Sequence, residues 1–426
     1  MTRTLAVWWD RRLVGQLTQN EHGELDFAYA PEWVSDGEAQ PLSASLPTRA
    51  EPFTRRECRP FFGGLLPEEG QRGAAAQALG VSRDNDFALL DRLGGDVAGA
   101  LQLLPPGETP AVPVLDRPSS PLNDAGLSRV LDVLPVRPLL AGEDGLRLSL
   151  AGAQSKVPVI LVDGAVALPA PGQPTTHILK LPIKRFKATT ENEAFVMRLA
   201  AAIGLDVAPV EPRVVGDRAF LLVQRFDRAI DDDGNVRRIH QEDCCQALGV
   251  PPETKYASEG GPAFKDCFAL LRRIAARPAV DVLKLLDAAI YNVIAGNADA
   301  HGKNFSILYD DYGPRLAPLY DLLTTVAYPD LSPKFAMKIG KCATLSELDK
   351  KGWTAFAEDS GLGLPLIRRR VAEISERAIA QANVIAVELV RPGLDEKALL
   401  QFAEMIVDRA ERCAYSARGN GLAASW

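Results

Sequence analysis

The spacing of apolar residues changes character about halfway along the chain. Near the start, Ala6-Val-Trp-Trp, Arg12-Leu-Val-Gly-Gln-Leu and Leu25-Asp-Phe-Ala-Tyr are short runs separated by turn residues such as Asn20-Glu-His-Gly. This is the pattern of β-structure over residues 5–29. Residues 71–79 and 83–93 carry helical spacing, and Gly94-Gly95-Asp96 breaks it before the apolar segment 98–104. Pro105-Pro-Gly-Glu-Thr-Pro-Ala-Val-Pro follows, with Pro118 and Pro121 close behind, and reads as a linker. Strand signals then return. Residues 146–150 alternate, 157–162 faces 165–168 across Asp163-Gly164, and 177–181 is a further short strand. A helix is expected over 190–203, with acids in its first turn and a stop at Gly204; a second hairpin is expected around Gly216-Asp217. From about Gln241 the spacing is helical, apart from strands expected near Phe305 and Phe335.

This order predicts an α+β chain in four segments: a β-rich subdomain over 1–104, a Pro-rich linker over 105–125, a strand-rich lobe over 126–240 and a helical lobe over 241–426. Five strands with one inserted helix, followed by a helical half, is the build of a two-lobed kinase.

Composition narrows the function classes. A chain of 426 residues with 47% apolar and 24% charged side chains has the balance of a globular protein with two or three domains or lobes. A net charge of -7 argues against nucleic-acid binding by the protein as a whole, so DNA contact calls for a local patch or a basic partner. No apolar run approaches the roughly 20 residues of a membrane span, and an acid at Asp10 interrupts any signal-peptide pattern. The six cysteines form no Cys-x-x-Cys pair and suggest neither a disulfide framework nor a zinc site, which points to thiols in a reducing cytoplasm.

The candidate chemistry centres on residues 297–304, Asn-Ala-Asp-Ala-His-Gly-Lys-Asn, a polar loop between an apolar helix pattern and the run that starts at Phe305. Asp299 and Asn304 stand five apart, the interval of a kinase catalytic loop, in which the Asp accepts a hydroxyl proton and the Asn holds magnesium. Asp321, seventeen residues on in Leu319-Tyr320-Asp321, stands where a kinase places its other metal-binding acid. Upstream, Ser149-Leu-Ala-Gly-Ala-Gln-Ser-Lys156 is a phosphate-loop candidate: small residues let backbone amides approach an anion. It fits neither common Gly-rich motif. Lys180 is the candidate phosphate lysine, and Glu191 or Glu193 the acid that orients it, Glu193 lying deeper in the helix. Gln224-Arg225-Phe226 occupies the position of an adenine hinge. The Asp231-Asp232-Asp233 run lacks calcium-loop spacing and reads as a turn.

Together these pieces resemble the HipA family of bacterial serine/threonine kinase toxins. The matching stretches are Leu148-Ser-Leu-Ala-Gly-Ala-Gln-Ser-Lys, Thr175-Thr-His-Ile-Leu-Lys-Leu-Pro, Glu191-Asn-Glu and Gln224-Arg-Phe-Asp-Arg. They continue with Gln241-Glu-Asp-Cys-Cys-Gln-Ala-Leu-Gly, Lys255-Tyr with Gly260-Gly-Pro, Asp299-Ala-His-Gly-Lys-Asn-Phe-Ser and Leu319-Tyr-Asp. The resemblance implies ATP and Mg2+ as cofactors, Asp299 as catalytic base, and Asn304 and Asp321 as metal ligands. It implies nucleotide contacts from Ala151, Gly152, Ala153, Gln154, Ser155, Lys156, Lys180, Gln224, Arg225, Phe226, His301, Lys303, Asn304, Tyr320 and Asp321. Ser149 resembles the loop serine that such kinases phosphorylate in themselves, with Ser155 a second hydroxyl in the same loop. Implied partners are a helix-turn-helix antitoxin, operator DNA contacted mainly through it, and a glutamyl or tryptophanyl aminoacyl-tRNA synthetase as substrate. Lys350-Lys351 is a local phosphate-contact candidate set against a solvated helix end. Alternative expectations are a small-molecule or lipid kinase, and a catalytically silent co-repressor.

Overall fold

The computed structural model describes residues 2–110, 119–143, 146–231 and 235–418. The alternating stretch at the start forms three antiparallel strands, Arg3–Trp9, Arg12–Gln19 and Leu25–Tyr29, each next to the one before it. The apolar segment expected over 98–104 contributes a fourth strand only at Leu101–Leu104, antiparallel to the first. The inward residues Leu5, Val7, Val14, Leu17 and Phe27 are buried with Phe53, Phe61, Phe62 and Phe87 in one apolar core. Helices Arg55–Gly64, Glu69–Leu79 and Asp86–Leu93 complete this layer. The last begins at Asp86 rather than at 83 because Asn85 caps it, its Oδ1 accepting from the Ala88 N–H at 2.9 Å.

By contact the chain divides into two compact units. One comprises the residues up to Leu181 with Leu222–Glu253 and Leu308–Asp311; the other comprises Pro182–Leu221, Thr254–Ile307 and the chain from Tyr312 on. Beyond the N-terminal layer, the first unit holds the helix Asp124–Val133 and the expected hairpin Lys156–Val162 with Ala165–Ala167. Strand His177–Lys180 pairs antiparallel with the former. Residues 146–150, expected to be a strand, form none. Their backbone is taken instead by Asp96, which makes a single bridge with Leu148. Of the linker, residues 111–118 lie outside the described residues, as do Asp232 and Asp233 of the acidic run. Asp231 is a turn residue whose Oδ1 accepts from the Asn235 N–H at 2.7 Å.

The second unit is largely helical. Thr189–Ala202, Phe264–Ile274, Pro278–Ala295, Lys350–Ser360, Leu364–Leu389 and Glu396–Arg418 pack around Phe268, Tyr291, Trp353 and Phe356. The expected strand near Phe305 is Ser306–Asp310. The one near Phe335 is absent: Phe335 donates its N–H to Ala343 across a turn, at 2.7 Å. Lys350 and Lys351 are exposed in the first turn of a helix capped by Asp349. All six cysteines are buried. Among the described residues no helix is long and apolar enough to cross a membrane.

Candidate active site

In the first unit the phosphate-loop candidate is held from several sides. Ser149 is fully buried; its N–H donates to the Asp96 carbonyl at 3.0 Å and its Oγ to the Leu65 carbonyl at 2.7 Å. The Gly152 carbonyl accepts from the Glu68 N–H at 3.3 Å, and Gln71 Nε2 donates to Ser155 Oγ at 3.1 Å. Gln154 Nε2 reaches the Leu181 carbonyl at 2.7 Å. Gly152 has φ +110°, and a Cβ there would lie 2.6 Å from Lys156 Nζ, which donates to the Ala151 carbonyl. The loop is thus a tight turn beside a lysine ammonium, with an apex in a backbone conformation that side chains rarely adopt.

The strand register adds what spacing alone could not. Lys156 and Lys180 are direct partners on adjacent antiparallel strands, so both ammonium-bearing side chains leave the same face of the sheet. Like charges directly opposite one another destabilise a sheet, and Lys180 is also buried.

The hinge candidates divide. Gln224 is exposed and Phe226 half-buried. Arg225 turns inward, where its guanidinium meets Asp227 at 2.8 Å and Asp96 at 3.3 Å, and its N–H donates to Thr176. Arg228 and Arg238 join the same buried cluster on Asp96, at 2.9 and 3.1 Å. Burial alone would raise the Asp96 and Asp227 carboxyls; the surrounding arginines outweigh it and hold both well below the usual carboxylate range.

In the second unit, helix Pro278–Ala295 ends at Gly296, with φ +70°. Arg409 secures that end, donating to the Val293 and Ile294 carbonyls at 2.7 and 3.1 Å. The catalytic-loop candidate begins immediately after. Asn297 Nδ2 donates to Asn292 Oδ1 at 2.9 Å, and its Oδ1 accepts from the Asp299 N–H at 3.1 Å. The Ala298 N–H donates to Thr325 Oγ1 at 2.7 Å. Asp299 is exposed, and its Oδ1 accepts from Tyr256 OH at 2.8 Å. His301, Lys303 and Asn304 are buried around the short turn Gly302–Asn304.

Tyr320 ties the second acid to this loop. Its OH donates to the Lys303 carbonyl at 2.6 Å and lies 2.7 Å from Ser306 Oγ. Asp321 follows in the left-handed region at φ +57°, a costly conformation for a non-glycine residue and one that concentrates at functional positions. Asn304 and Asp321 offer hard oxygen donors. Among the described residues no group of three His, Cys, Asp or Glu side chains could cage a metal. Two protein oxygens suit Mg2+, which keeps waters and phosphate oxygens for its other positions. Of the two helix acids, Glu191 accepts the Asp395 N–H at 3.0 Å, just before helix Glu396–Arg418. Glu193 is the more deeply buried.

Sequence reading missed Tyr256 as a partner of Asp299, Asp96 as a joint, and Gln71 as a loop support. Lys255-Tyr256 was visible as a motif, but nothing in its spacing assigned it a role; Asp96 was legible only as the end of a Gly-Gly break.

The fold is that of a two-lobed, kinase-like α+β protein. It matches the solved Shewanella oneidensis MR-1 complex of HipA, HipB and operator DNA with a TM-score of 0.83 at 27% identity, over 96% of this chain and 97% of that one. Residues 148–384 match the HipA-like C-terminal domain and 5–104 the HipA N-terminal domain, and the chain belongs to the HipA family. It is 66% identical over 96% of its length, and 98% of the relative's, to Y4mE of Sinorhizobium fredii, a presumptive kinase by its name. It is 31% identical over 93% of its length, and 92% of the relative's, to a protein of Shewanella oneidensis named serine/threonine-protein kinase toxin HipA.

Proposed function

We propose that the chain is an ATP- and Mg2+-dependent serine/threonine protein kinase that acts as a growth-arresting toxin. The observation that carries this reading is the register placing Lys156 opposite Lys180 beside a glycine-apexed loop. Bound MgATP supplies the transferable phosphoryl group. In this reading Lys156 and Lys180 offset phosphate charge, and the loop from Ala151 to Lys156 donates backbone N–H groups. Gln224 to Phe226 form the hinge. Glu193 is the orienting acid in this reading, lying deeper in its helix than Glu191. Asn304 and Asp321 would hold the metal, with His301, Lys303 and Tyr320 shaping that loop. Asp299 accepts the proton of the attacking hydroxyl. The functional division follows the sequence: an N-terminal β subdomain over 1–104, a linker, a nucleotide-binding segment over 126–240 and a catalytic segment from 241 on.

Ser149 is the autophosphorylation site in this reading. Its hydroxyl is buried against a carbonyl, so a phosphate of about -1.5 to -2 charges cannot stay there and the loop must leave its seat. The protein substrate is an aminoacyl-tRNA synthetase, glutamyl or tryptophanyl. A helix-turn-helix antitoxin restrains the kinase in the cytoplasm, and the pair represses its operon, with the acidic chain leaving most DNA contact to the antitoxin.

The test is phosphopeptide mass spectrometry of cell extract incubated with Mg2+, ATP and either wild type or Asp299→Asn. We expect new phosphoserine or phosphothreonine on a synthetase with wild type only. Equal labelling by both proteins would remove Asp299 from the mechanism, and phosphate found only on small molecules would replace the protein-kinase reading.

A further inference from the structure

The hydrogen bond from Tyr256 to Asp299 has the geometry of an acceptor on its base. Tyr256 OH donates to Asp299 Oδ1 at 2.8 Å, inside the roughly 2.6–3.2 Å reach a general base needs to the proton it takes. The phenol is held there by a built turn. The Tyr256 carbonyl accepts from the Glu259 and Gly261 N–H groups at 3.0 and 2.9 Å. Gly261 makes that turn feasible: a Cβ there would meet the Thr254 carbonyl oxygen at 2.2 Å. The neighbouring Lys255 carbonyl accepts from the Gly302 N–H at 3.4 Å, which docks the segment on the catalytic-loop candidate itself. The Tyr256 ring meets the His301 ring edge-on, with centroids 5.2 Å apart. Tyr256 is half-buried and Asp299 exposed, so the phenol can be displaced without opening a core.

We propose that Tyr256 is a positioning residue that occupies, on Asp299, the place of the acceptor hydroxyl. An incoming hydroxyl reaches the base only by displacing a phenol that already satisfies it. The inference rests on the reading of Asp299 as base. Its consequence is selectivity: water, which brings no binding energy from elsewhere, competes poorly with a tethered phenol, whereas a protein acceptor docked through other contacts can displace it.

The test uses the full chain with MgATP and no protein acceptor, measuring phosphate release. In that reaction water forms the new P–O bond, the bond from the γ-phosphorus to the β–γ bridging oxygen breaks, and the water proton passes to Asp299. Tyr256→Phe keeps the ring against His301 and removes only the hydroxyl. It should raise acceptor-free hydrolysis by about tenfold, the equivalent of one hydrogen bond to a charged group, with KM for ATP unchanged. Adding Asp299→Asn to Tyr256→Phe should abolish the rise. An unchanged or lower rate in a Tyr256→Phe protein that unfolds at the wild-type temperature overturns the proposal while leaving the kinase reading intact. If Asp299→Asn alone hydrolyses ATP as fast as wild type, the base assignment fails, and this inference with it.

Discussion

Replacing Asp96 with alanine tests whether the buried arginine cluster beside the hinge candidate is a stability element. Asp96 is 2% exposed, and its carboxylate takes Arg228 at 2.9 Å, Arg238 at 3.1 Å, Arg225 at 3.3 Å and Thr175 Oγ1 at 2.7 Å. Three guanidiniums against Asp96 and Asp227 leave one net positive charge in the interior, and removing Asp96 leaves two. Breaking a buried pair by deleting one partner costs about 3–5 kcal/mol, because the other charge stays buried. The Thr175 hydroxyl loses a partner worth roughly another 1 kcal/mol. Against a typical total of about 5–15 kcal/mol, Asp96→Ala should bring the first unit close to unfolding. The assay is urea unfolding followed by tryptophan fluorescence, to which Trp8, Trp9 and Trp33 contribute from that unit. Asp311→Ala, which removes only the exposed 2.9 Å partner of Arg237, should leave the midpoint in place. The pH dependence supplies a second reading. The folded-state carboxyl is held below its ordinary value, so its contribution is complete above about pH 4 and is lost as the pH falls toward the folded pKa. The variant should lack that part of the acid slope. A loss below about 1 kcal/mol at neutral pH would refute the assignment of the cluster as a stability element.

Glu242 should behave with the opposite sign. Burial raises its carboxyl to about 7, against donors from Ser43, Tyr309 and the Ala44 N–H that lower it. A folded pKa above the unfolded one gives stability that is complete below about pH 4.5 and is lost as the pH rises through 7, a span of about 3 kcal/mol. Glu242→Gln should flatten the unfolding midpoint between pH 4.5 and 7, and an unchanged slope would count against it. Gly152→Ala forces a side chain into φ +110° against Lys156 Nζ. It should weaken ATP binding by tenfold or more, read by titration of a fluorescent nucleotide, at a stability cost of about 1–3 kcal/mol; unaltered affinity would remove this loop from the nucleotide site.

What the sequence made legible was local. Asp163-Gly164 and Gly216-Asp217 marked two hairpins, the second between strands Val210–Val215 and Arg218–Gln224, because turn chemistry acts within four residues. Gly204 was read as a helix stop for the same reason, and helix Thr189–Ala202 ends just before it, while the Asn85 cap went unread. The catalytic-loop candidate was readable because its flanks are periodic and its own residues are not. The segment 146–150 misled because alternation of residue types does not say what the backbone pairs with. Leu148 and Leu150 are buried, but so is Ser149, and the backbone bonds of the stretch go to Asp96 rather than to a neighbouring strand.

The same limit explains the illegible part of the site. Lys156 and Lys180 become neighbours through a register, Tyr256 and Asp299 through a turn folded onto a distant loop, and Asp96 and Arg225 through packing 129 residues apart. None of these pairings leaves a period. Asp96 shows why they matter. Its carbonyl holds the Ser149 N–H of the phosphate-loop candidate, while its carboxylate holds Arg225, Arg228 and Arg238 around the hinge candidate. The phosphate-loop and hinge candidates are therefore joined through one residue of the N-terminal layer. A perturbation of that layer at Asp96 reaches both at once, whereas a change at Gly152 reaches only the loop. If nucleotide affinity fell equally in Gly152→Ala and in Asp96→Asn, which keeps side-chain size at Asp96 but removes its charge, while the latter lost more stability, the joint would be carrying geometry as well as free energy.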